Sequence, residues 1–202
     1  RLVLCCCTQT YKITPDTLDA WARILHGAPH AVLWLLAWNE QAERNLRGEI
    51  ARRGIDPARL HFASKASMHD HLARLRCADL FLDTWPCNAH TTASEALWAG
   101  VPVLTFPGAT FASRVAARLA RATHTDDLVC DSVGAYVAKA LALAGGLPAL
   151  RAMQQKLQAQ RLELPLFDSE ATTRALEDLY VRMHARREAG LAPDHLPATP
   201  SA

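Results

Sequence analysis

Residues 79–105 of the chain are DLFLDTWPCNAHTTASEALWAGVPVLT, and this stretch decides the fold. It begins and ends with a short apolar run, residues 79–83 and 101–105, and the segment 91–99 between them has a helical pattern. Continuous apolar runs without polar alternation are typical of strands that are covered on both faces, as in a parallel sheet. A strand, a helix and a second strand at this spacing predict a right-handed crossover between parallel strands.

The same pattern continues on both sides of this unit. Three more apolar runs lie toward the N-terminus, at residues 2–7, 31–37 and 59–63. Helices are predicted after Thr14-Pro15-Asp16, over 40–53, after Ser67 with its partner Asp70, and over 111–121. The alternation predicts an α/β fold, a Rossmann-like, doubly wound parallel sheet with flanking helices.

The pattern changes near residue 132, where strand-like runs stop. Segments 132–144, 147–162 and 170–188 are all predicted to be helices. We therefore expect one lobe over residues 1–188, with an all-helical end over 131–188, and a flexible proline-containing tail over 189–202. The chain starts with Arg1 and enters an apolar run at once, which predicts a fragment of a longer protein.

The composition argues against several classes of protein. The chain has 202 residues, 50% hydrophobic and 21% charged, which is typical of a folded domain. Its net charge of +2 gives no reason to expect nucleic acid as a partner. The longest apolar run, residues 31–38, is far shorter than the roughly 20 residues of a membrane span. The six cysteines form no C-x-x-C pair, which predicts reduced thiols, a cytoplasmic location and no cysteine-bound zinc.

Ligands of open parallel sheets bind beyond the carboxyl ends of the strands. In this chain the strand-end loops are residues 8–13, 64–70, 84–92 and 105–111. The third loop leads into a helix through His90-Thr91-Thr92. Free N–H groups, the positive end of the helix dipole and two hydroxyls predict a diphosphate site, with His90 able to hydrogen-bond or carry a proton near an anionic leaving group. Simple capping of the helix by threonine is an equally good interpretation of this spacing.

Other strand-end residues add charge to the same edge. Lys12, beside Gln9, follows the first strand and directs a cation there, although a solvated loop lysine would have the same position. Glu95 could accept hydrogen bonds from ribose or merely interact with the helix dipole. Arg74 could stack on a base or simply be a surface arginine. His69 and His71 lack a partner with ligand spacing, and no D-x-D pair occurs, so neither a metal nor another cofactor is expected.

Five stretches together carry a family likeness. They are listed in chain order as 9–13 (QTYKI), 32–36 (VLWLL), 78–102 with the HTT triplet, 111–115 (FASRV) and 165–168 (PLFD). Over residues 2–188 they closely resemble the C-terminal catalytic half of the O-GlcNAc transferase family, glycosyltransferase family 41, including its bacterial SPINDLY-like members. The resemblance implies the C-terminal, nucleotide-sugar-binding lobe of a GT-B glycosyltransferase, which is inverting and independent of metal.

The resemblance also implies roles for single residues. Lys12 and His90 would be catalytic, with Lys12 stabilising negative charge on the leaving nucleoside diphosphate. The donor-binding residues would be Gln9, Lys12, Ala66, His71, Arg74, His90, Thr91, Thr92 and Glu95. Among these, Ala66, His71 and Arg74 would lie near the base and Glu95 would bind ribose.

The chain departs from the animal enzymes of the family at two of these positions. Glu95 stands in place of an aspartate, and Met68 replaces a lysine. Lys65 could substitute for that lost cation. The implied donor is UDP-GlcNAc and the implied acceptors are Ser/Thr hydroxyls of proteins, bound through an N-terminal lobe and tetratricopeptide repeats that this chain lacks.

Several alternatives remain open on the sequence alone. A SPINDLY-type fucosyltransferase would use GDP-fucose, and a related bacterial branch glucosylates asparagine. A carbohydrate-building GT-B enzyme would have the same lobe but a different acceptor. A non-catalytic nucleotide-binding or interaction module would retain the fold, although a pure scaffold has no need for Lys12 and the HTT triplet.

Overall fold

A computed structural model describes residues 1–197 of the chain. Five parallel strands form one sheet in the order β3-β2-β1-β4-β5. The strands are β1 (Leu2–Cys6), β2 (Ala31–Leu36), β3 (Leu60–Ala63), β4 (Leu80–Leu82) and β5 (Val103–Leu104). Each lies inside one of the five predicted apolar runs, which confirms the predicted parallel sheet.

Eight α-helices accompany the sheet within the described residues. They are α1 (Pro15–Gly27), α2 (Glu40–Arg52), α3 (Met68–Leu75), α4 (Thr91–Ala99), α5 (Val115–Arg121), α6 (Val133–Gly145), α7 (Leu147–Gln160) and α8 (Ser169–Glu188). The predicted start signals are confirmed at α1 and α3. The Thr14 hydroxyl accepts the N–H of Thr17 at 3.2 Å, and the Ser67 hydroxyl accepts the N–H of Asp70 at 3.1 Å.

One helix prediction was wrong in its extent. Residues 111–121 do not form a single helix, because a short 3-10 turn, Phe111–Ser113, precedes α5. The Ser113 hydroxyl accepts the N–H of Thr110 at 3.0 Å and donates to its carbonyl at 2.9 Å. These local bonds tighten the chain into a turn before α5 can begin.

The order of the strands determines where a ligand can bind. From the central β1 the chain builds outward through β2 and β3, and then returns to the other side of β1 with β4 and β5. The switch point of the sheet therefore lies between β1 and β4. In open α/β sheets the crevice beyond the carboxyl ends of the two strands at this point is the usual ligand site. The loop after β1 and the loop after β4 meet there.

The described residues divide into two compact units, one over residues 1–161 and one that begins at residue 162. The first contains the sheet, and its core includes Leu4, Leu33, Phe81 and Trp21, all fully buried. In the second unit, Asp168 is the N-cap residue of α8, and its carboxylate accepts the N–H of Ala171 at 2.8 Å.

The predicted extent of the lobe, residues 1–188, stays a prediction. Residues 131–188 contain only helices and turns. Of the predicted tail, residues 189–197 contain no helix or strand, and residues 198–202 lie outside the described residues.

Candidate functional site

The loop between β4 and α4 is held by the buried carboxylate of Asp83. Its Oδ1 accepts the N–H of Thr84 at 2.8 Å and the N–H of Ala89 at 2.6 Å. Its Oδ2 accepts the hydroxyl of Thr105, at the end of β5, at 2.7 Å. The Tyr136 hydroxyl, on α6, donates to the Asp83 carbonyl at 3.1 Å. These bonds place the residues just before α4 at the carboxyl edge of the sheet.

Lys12 reaches this loop from the other side of the switch point. It ends a short 3-10 turn, Thr10–Lys12, whose backbone is closed by a hydrogen bond from the Lys12 N–H to the Gln9 carbonyl at 3.0 Å. The Lys12 ammonium donates to the carbonyl of Asn88 at 2.8 Å. The Asn88 side chain in turn donates to the Thr84 carbonyl at 2.8 Å. The cation is therefore held beside α4, as the strand-end position of Lys12 predicted.

His90 is the N-cap residue of α4 and directly precedes its first helical residue, Thr91. Its backbone is not helical, with φ −109° and ψ −93°, and no side chain caps the helix there. Its Nε2 lies 3.2 Å from the Ala112 carbonyl. A carbonyl only accepts, so Nε2 carries the proton of that bond and Nδ1 of the neutral ring is an acceptor.

The two threonines that follow do not cap α4. Thr91 and Thr92 occupy the first turn, where backbone N–H groups have no partner within the helix. Their hydroxyls form no hydrogen bond with any other residue of the described part of the chain. The alternative of simple capping by threonine is therefore wrong, because His90 occupies the N-cap position and no side chain caps the helix. The turn offers donors to an anion instead.

A second cluster lies where α3 and α4 approach each other. His71 and Glu95 are mostly buried, with His71 Nε2 3.4 Å from a carboxylate oxygen of Glu95. Arg74 donates from Nε to His71 Nδ1 at 3.3 Å and from a terminal nitrogen to the Ser64 carbonyl at 2.6 Å. Burial lowers the pKa of His71. The charge of Arg74 also lowers this pKa, whereas Glu95 raises it. The neutral ring accepts from Arg74 and donates to Glu95.

The remaining predicted donor residues lie at the same carboxyl edge. Gln9 is partly exposed in the loop after β1, and Ala66 is exposed between β3 and α3. Met68 is 60% exposed at the start of α3. The Lys65 ammonium lies 4.0 Å from the centre of the Trp38 ring, a cation–π contact. Trp38 is 38% exposed and follows β2 in a strand-end loop.

Three residues of the site had no role in the sequence analysis. Asp83 and Asn88 hold the loop before α4 through hydrogen bonds within the protein. Cys7 follows β1, and a hydrogen bond with Cys5 together with the nearby charge of Arg74 lowers the pKa of its thiol. The signal for Asp83 was present, because it is the one acid that directly ends an apolar strand run next to the HTT loop.

Two negative findings concern residues 1–197. They include no group of three or more His, Cys, Asp or Glu side chains that could hold a metal ion. They also include no single helix long and apolar enough to cross a membrane, although α6 and the helical segment Leu147–Glu163, bent by 96°, pass that test as a pair.

The arrangement matches a known family. The model of glycosyl transferase family 41 covers residues 1–176. This chain belongs to glycosyltransferase family 41. A variant of the O-GlcNAc transferase of Thermobaculum terrenum has 34% sequence identity and a TM-score of 0.85, over 90% of this chain and 36% of that one. The family likeness on which the sequence analysis relied is thereby confirmed, as is the Rossmann-like fold.

Curated relatives of the family 41 chain are much longer. The Caenorhabditis elegans protein named UDP-N-acetylglucosamine–peptide N-acetylglucosaminyltransferase is 38% identical over 195 residues, which are 96% of this chain and 17% of the relative. The Arabidopsis thaliana protein SEC, named as a probable enzyme of that activity, is 36% identical over 96% of this chain and 20% of its own length. The chain thus spans about a fifth of these relatives.

Proposed function

We propose that this family 41 chain is the donor-binding, C-terminal lobe of a GT-B transferase that moves GlcNAc from UDP-GlcNAc to Ser/Thr hydroxyls of proteins. The observation that carries the proposal is the meeting of Lys12 and the start of α4 at the switch point, through the 2.8 Å bond to Asn88. A cation, two free N–H groups and two free hydroxyls at one edge suit a diphosphate.

The nucleoside fits the second cluster. Arg74 presents a planar guanidinium that can lie against a base, and it is braced by His71 and Ser64. Glu95, the member of this cluster on α4, lies one turn into that helix, where its carboxylate can accept the ribose hydroxyls. Backbone groups at Ala66 are exposed and available to the edge of the base.

The chemistry assigned to this lobe is stabilisation of the leaving group. The acceptor oxygen forms a bond to the anomeric carbon from the face opposite the diphosphate, so the configuration inverts. The bond from that carbon to the diphosphate oxygen breaks, and its electron pair leaves with UDP. Lys12 and the N–H groups of Thr91 and Thr92 neutralise the charge that develops there. The proton of the acceptor goes to a base outside the residues assigned here.

His90 can assist in one of two protonation states. Its Nε2–H is held by the Ala112 carbonyl, so Nδ1 is the ring atom left for the ligand. A protonated Nδ1 would donate to a diphosphate oxygen, whereas the neutral ring could only accept. We assign the protonated form to the complex with the donor, because the anion favours it.

The proposal requires no metal, since Lys12 and the α4 N-terminus supply the positive charge. Protein acceptors would be bound by an N-terminal lobe and tetratricopeptide repeats of the longer parent. Lys65 is proposed to replace the cation missing at Met68. Unchanged UDP affinity in a Lys65→Ala chain would remove that last proposal.

The experiment is a calorimetric titration of the chain with UDP, UDP-GlcNAc, GDP and GDP-fucose. Lys12→Ala and His90→Ala should each weaken UDP binding by about tenfold or more, because each loses a charged partner of the diphosphate. Lys156→Ala is the matched control, since Lys156 is an exposed cation on α7 away from the site. It should bind UDP with unchanged affinity.

Each other outcome points to a different function. Selectivity for GDP and GDP-fucose would replace the proposal by a fucosyl donor. No binding to any nucleotide by the folded chain, and none by the longer parent, would favour a non-catalytic interaction module. UDP binding that is insensitive to both Lys12→Ala and His90→Ala would place the diphosphate elsewhere.

A further inference from the structure

Asp83 is fully buried at the carboxyl end of β4, yet it is not among the residues assigned to the donor. Both of its carboxylate oxygens are used within the protein. Oδ1 bridges the two ends of the loop by accepting from Thr84 and Ala89, and Oδ2 is tied to Thr105 on the neighbouring strand. The carboxylate thus closes residues 84–89 into a ring and anchors that ring to β5.

Both halves of the proposed diphosphate site are attached to this ring. Ala89, which Oδ1 holds at 2.6 Å, directly precedes His90 and the first turn of α4. Asn88, one residue earlier, supplies the carbonyl that holds the Lys12 ammonium at 2.8 Å. A displacement of residues 88–89 would therefore move the cation and the helix N-terminus together.

Stability of the sheet does not explain an acid at this position. No cation within residues 1–197 forms an ion pair with Asp83, so its ionised form would be buried without a direct counter-charge. The same loop buries the Oδ1 atom of Asn88 without a hydrogen-bond partner. Buried groups of this kind reduce stability compared with apolar side chains of similar size. A loss of stability of this kind is typical of functional sites, where a residue is retained because it fixes the position of its neighbours.

We infer that Asp83 is a positioning residue, whose two-oxygen bridge sets the loop that aligns Lys12 with the N-terminus of α4 for the donor diphosphate. The inference rests on the proposed function. Asp83 is fully buried and both its oxygens are bonded within the protein, so its removal should affect the diphosphate and leave the nucleoside contacts of Arg74 and Glu95 unchanged. A merely structural residue would affect both parts of the ligand alike.

The test measures UDP affinity by calorimetry and uridine affinity by ligand-observed NMR on the same chains. Asp83→Ala should weaken UDP binding by about tenfold or more, while uridine changes by less than about twofold. Asp83→Asn should bind UDP almost as the unmodified chain does, because its amide oxygen still accepts from Thr84 and Ala89 and its NH₂ group can donate to Thr105.

The matched control is Asp79→Ala. Asp79 lies just before β4, and its carboxylate accepts the N–H of Val3 at 2.7 Å, so it also loses a carboxylate-to-backbone bond, but at the opposite edge of the sheet. It should retain UDP affinity. If Asp83→Ala does not fold, Thr105→Val serves instead. It removes the partner of Oδ2 and should weaken UDP by about threefold or more without changing uridine.

The outcomes separate this inference from the proposed function. If neither the unmodified folded chain nor its longer parent binds UDP, the proposed function is overturned and the inference with it; if only the parent binds UDP, the same variants are compared in the parent. UDP binding that survives Asp83→Ala overturns only the role of Asp83. Equal losses of UDP and uridine, or the same loss in Asp79→Ala, would show that the carboxylate acts on folding in general and would also overturn it.

Discussion

At the scale of single residues, the carboxyl edge of the sheet depends on a few polar side chains with defined partners. Lys12 is held by Asn88, His71 lies between Arg74 and Glu95, and Asp83 is enclosed by hydrogen-bond donors. None of these groups is free to rotate into another position without losing a bond. The candidate site is therefore largely preformed, which would reduce the entropic cost of binding the proposed donor.

Asp83 also predicts a pH dependence of folding. Burial raises the pKa of Asp83 to about 7, although its hydrogen-bond donors and Lys12 act in the opposite direction. The pKa of an aspartate in an unfolded chain is about 3.9. Between these values the folded chain holds a proton that the unfolded chain has lost. The contribution of Asp83 to the free energy of unfolding therefore falls as pH rises, by up to about 1.4 kcal/mol per pH unit.

The measurement is urea unfolding at pH 5, 6 and 7. Asp83→Asn cannot titrate, so it should gain stability relative to the unmodified chain as pH rises through this range. Asp79→Asn, whose acid lies at the other edge of the sheet, should follow the unmodified chain. If the free energies of unfolding of Asp83→Asn and the unmodified chain change equally with pH, the raised pKa of Asp83 is contradicted.

At the scale of elements, α4 connects the core to the site. It buries Ala93, Ala96 and Leu97 against the sheet and presents its first turn and Glu95 to the ligand edge. The helix ends at Gly100, which has a φ of +86°. The Val101 N–H then bonds to the Ala96 carbonyl at 2.8 Å, which turns the chain into β5. Both ends of this short helix are thus determined by backbone geometry.

A pair of glycine substitutions tests this account. Gly100→Ala should lower the free energy of unfolding by about 1 kcal/mol or more, because φ is positive and an added Cβ would lie 2.2 Å from Cγ of Gln158. Gly48→Ala is the control. Gly48 lies inside α2 with no atom within 4 Å of an added Cβ. Gly48→Ala should therefore raise the free energy of unfolding by about 0.5–1 kcal/mol. Thermal unfolding midpoints that shift in the same direction would refute this account.

At the scale of the whole molecule, strand order decides where the site is. Residues 12 and 88 are far apart in sequence, and they meet because β4 pairs with β1 rather than with β3. The family 41 relatives are about five times longer than this chain. The proposed function assigns acceptor binding to segments outside residues 1–202. If the proposed function is right, residues 1–202 hold only the donor and cannot deliver an acceptor hydroxyl to it.

We therefore predict that residues 1–202 bind UDP but do not transfer sugar. The test incubates the chain and its longer parent with radiolabelled UDP-GlcNAc and a Ser/Thr-rich protein, and follows labelled protein and released UDP. The parent should transfer sugar and this chain should not. In the parent, Lys12→Ala should reduce kcat by about a hundredfold or more. Sustained transfer by residues 1–202 alone would contradict the prediction.

Much of the fold and the ligand edge could be predicted from local patterns. All five strands lie inside the apolar runs at residues 2–7, 31–37, 59–63, 79–83 and 101–105, because strands covered on both faces have no polar alternation. The start of α3 was predicted from Ser67 and Asp70, since capping acts over a few residues. The division of residues 111–121 into a 3-10 turn and α5 was not predicted, because the hydrogen bonds of the Ser113 hydroxyl do not alter the spacing of the apolar residues.

The amino-acid sequence alone determined the class of fold. It also predicted the candidate ligand edge and the residues Lys12, His90, Thr91 and Thr92, because these predictions depend on local patterns and on a family likeness. Only the tertiary structure decided how they meet. It placed Lys12 on the Asn88 carbonyl, joined His71 to Arg74 and Glu95, and showed that Asp83 holds the loop. These contacts join residues that are distant in the chain, and only the pairing of strands and the packing of helices bring them together.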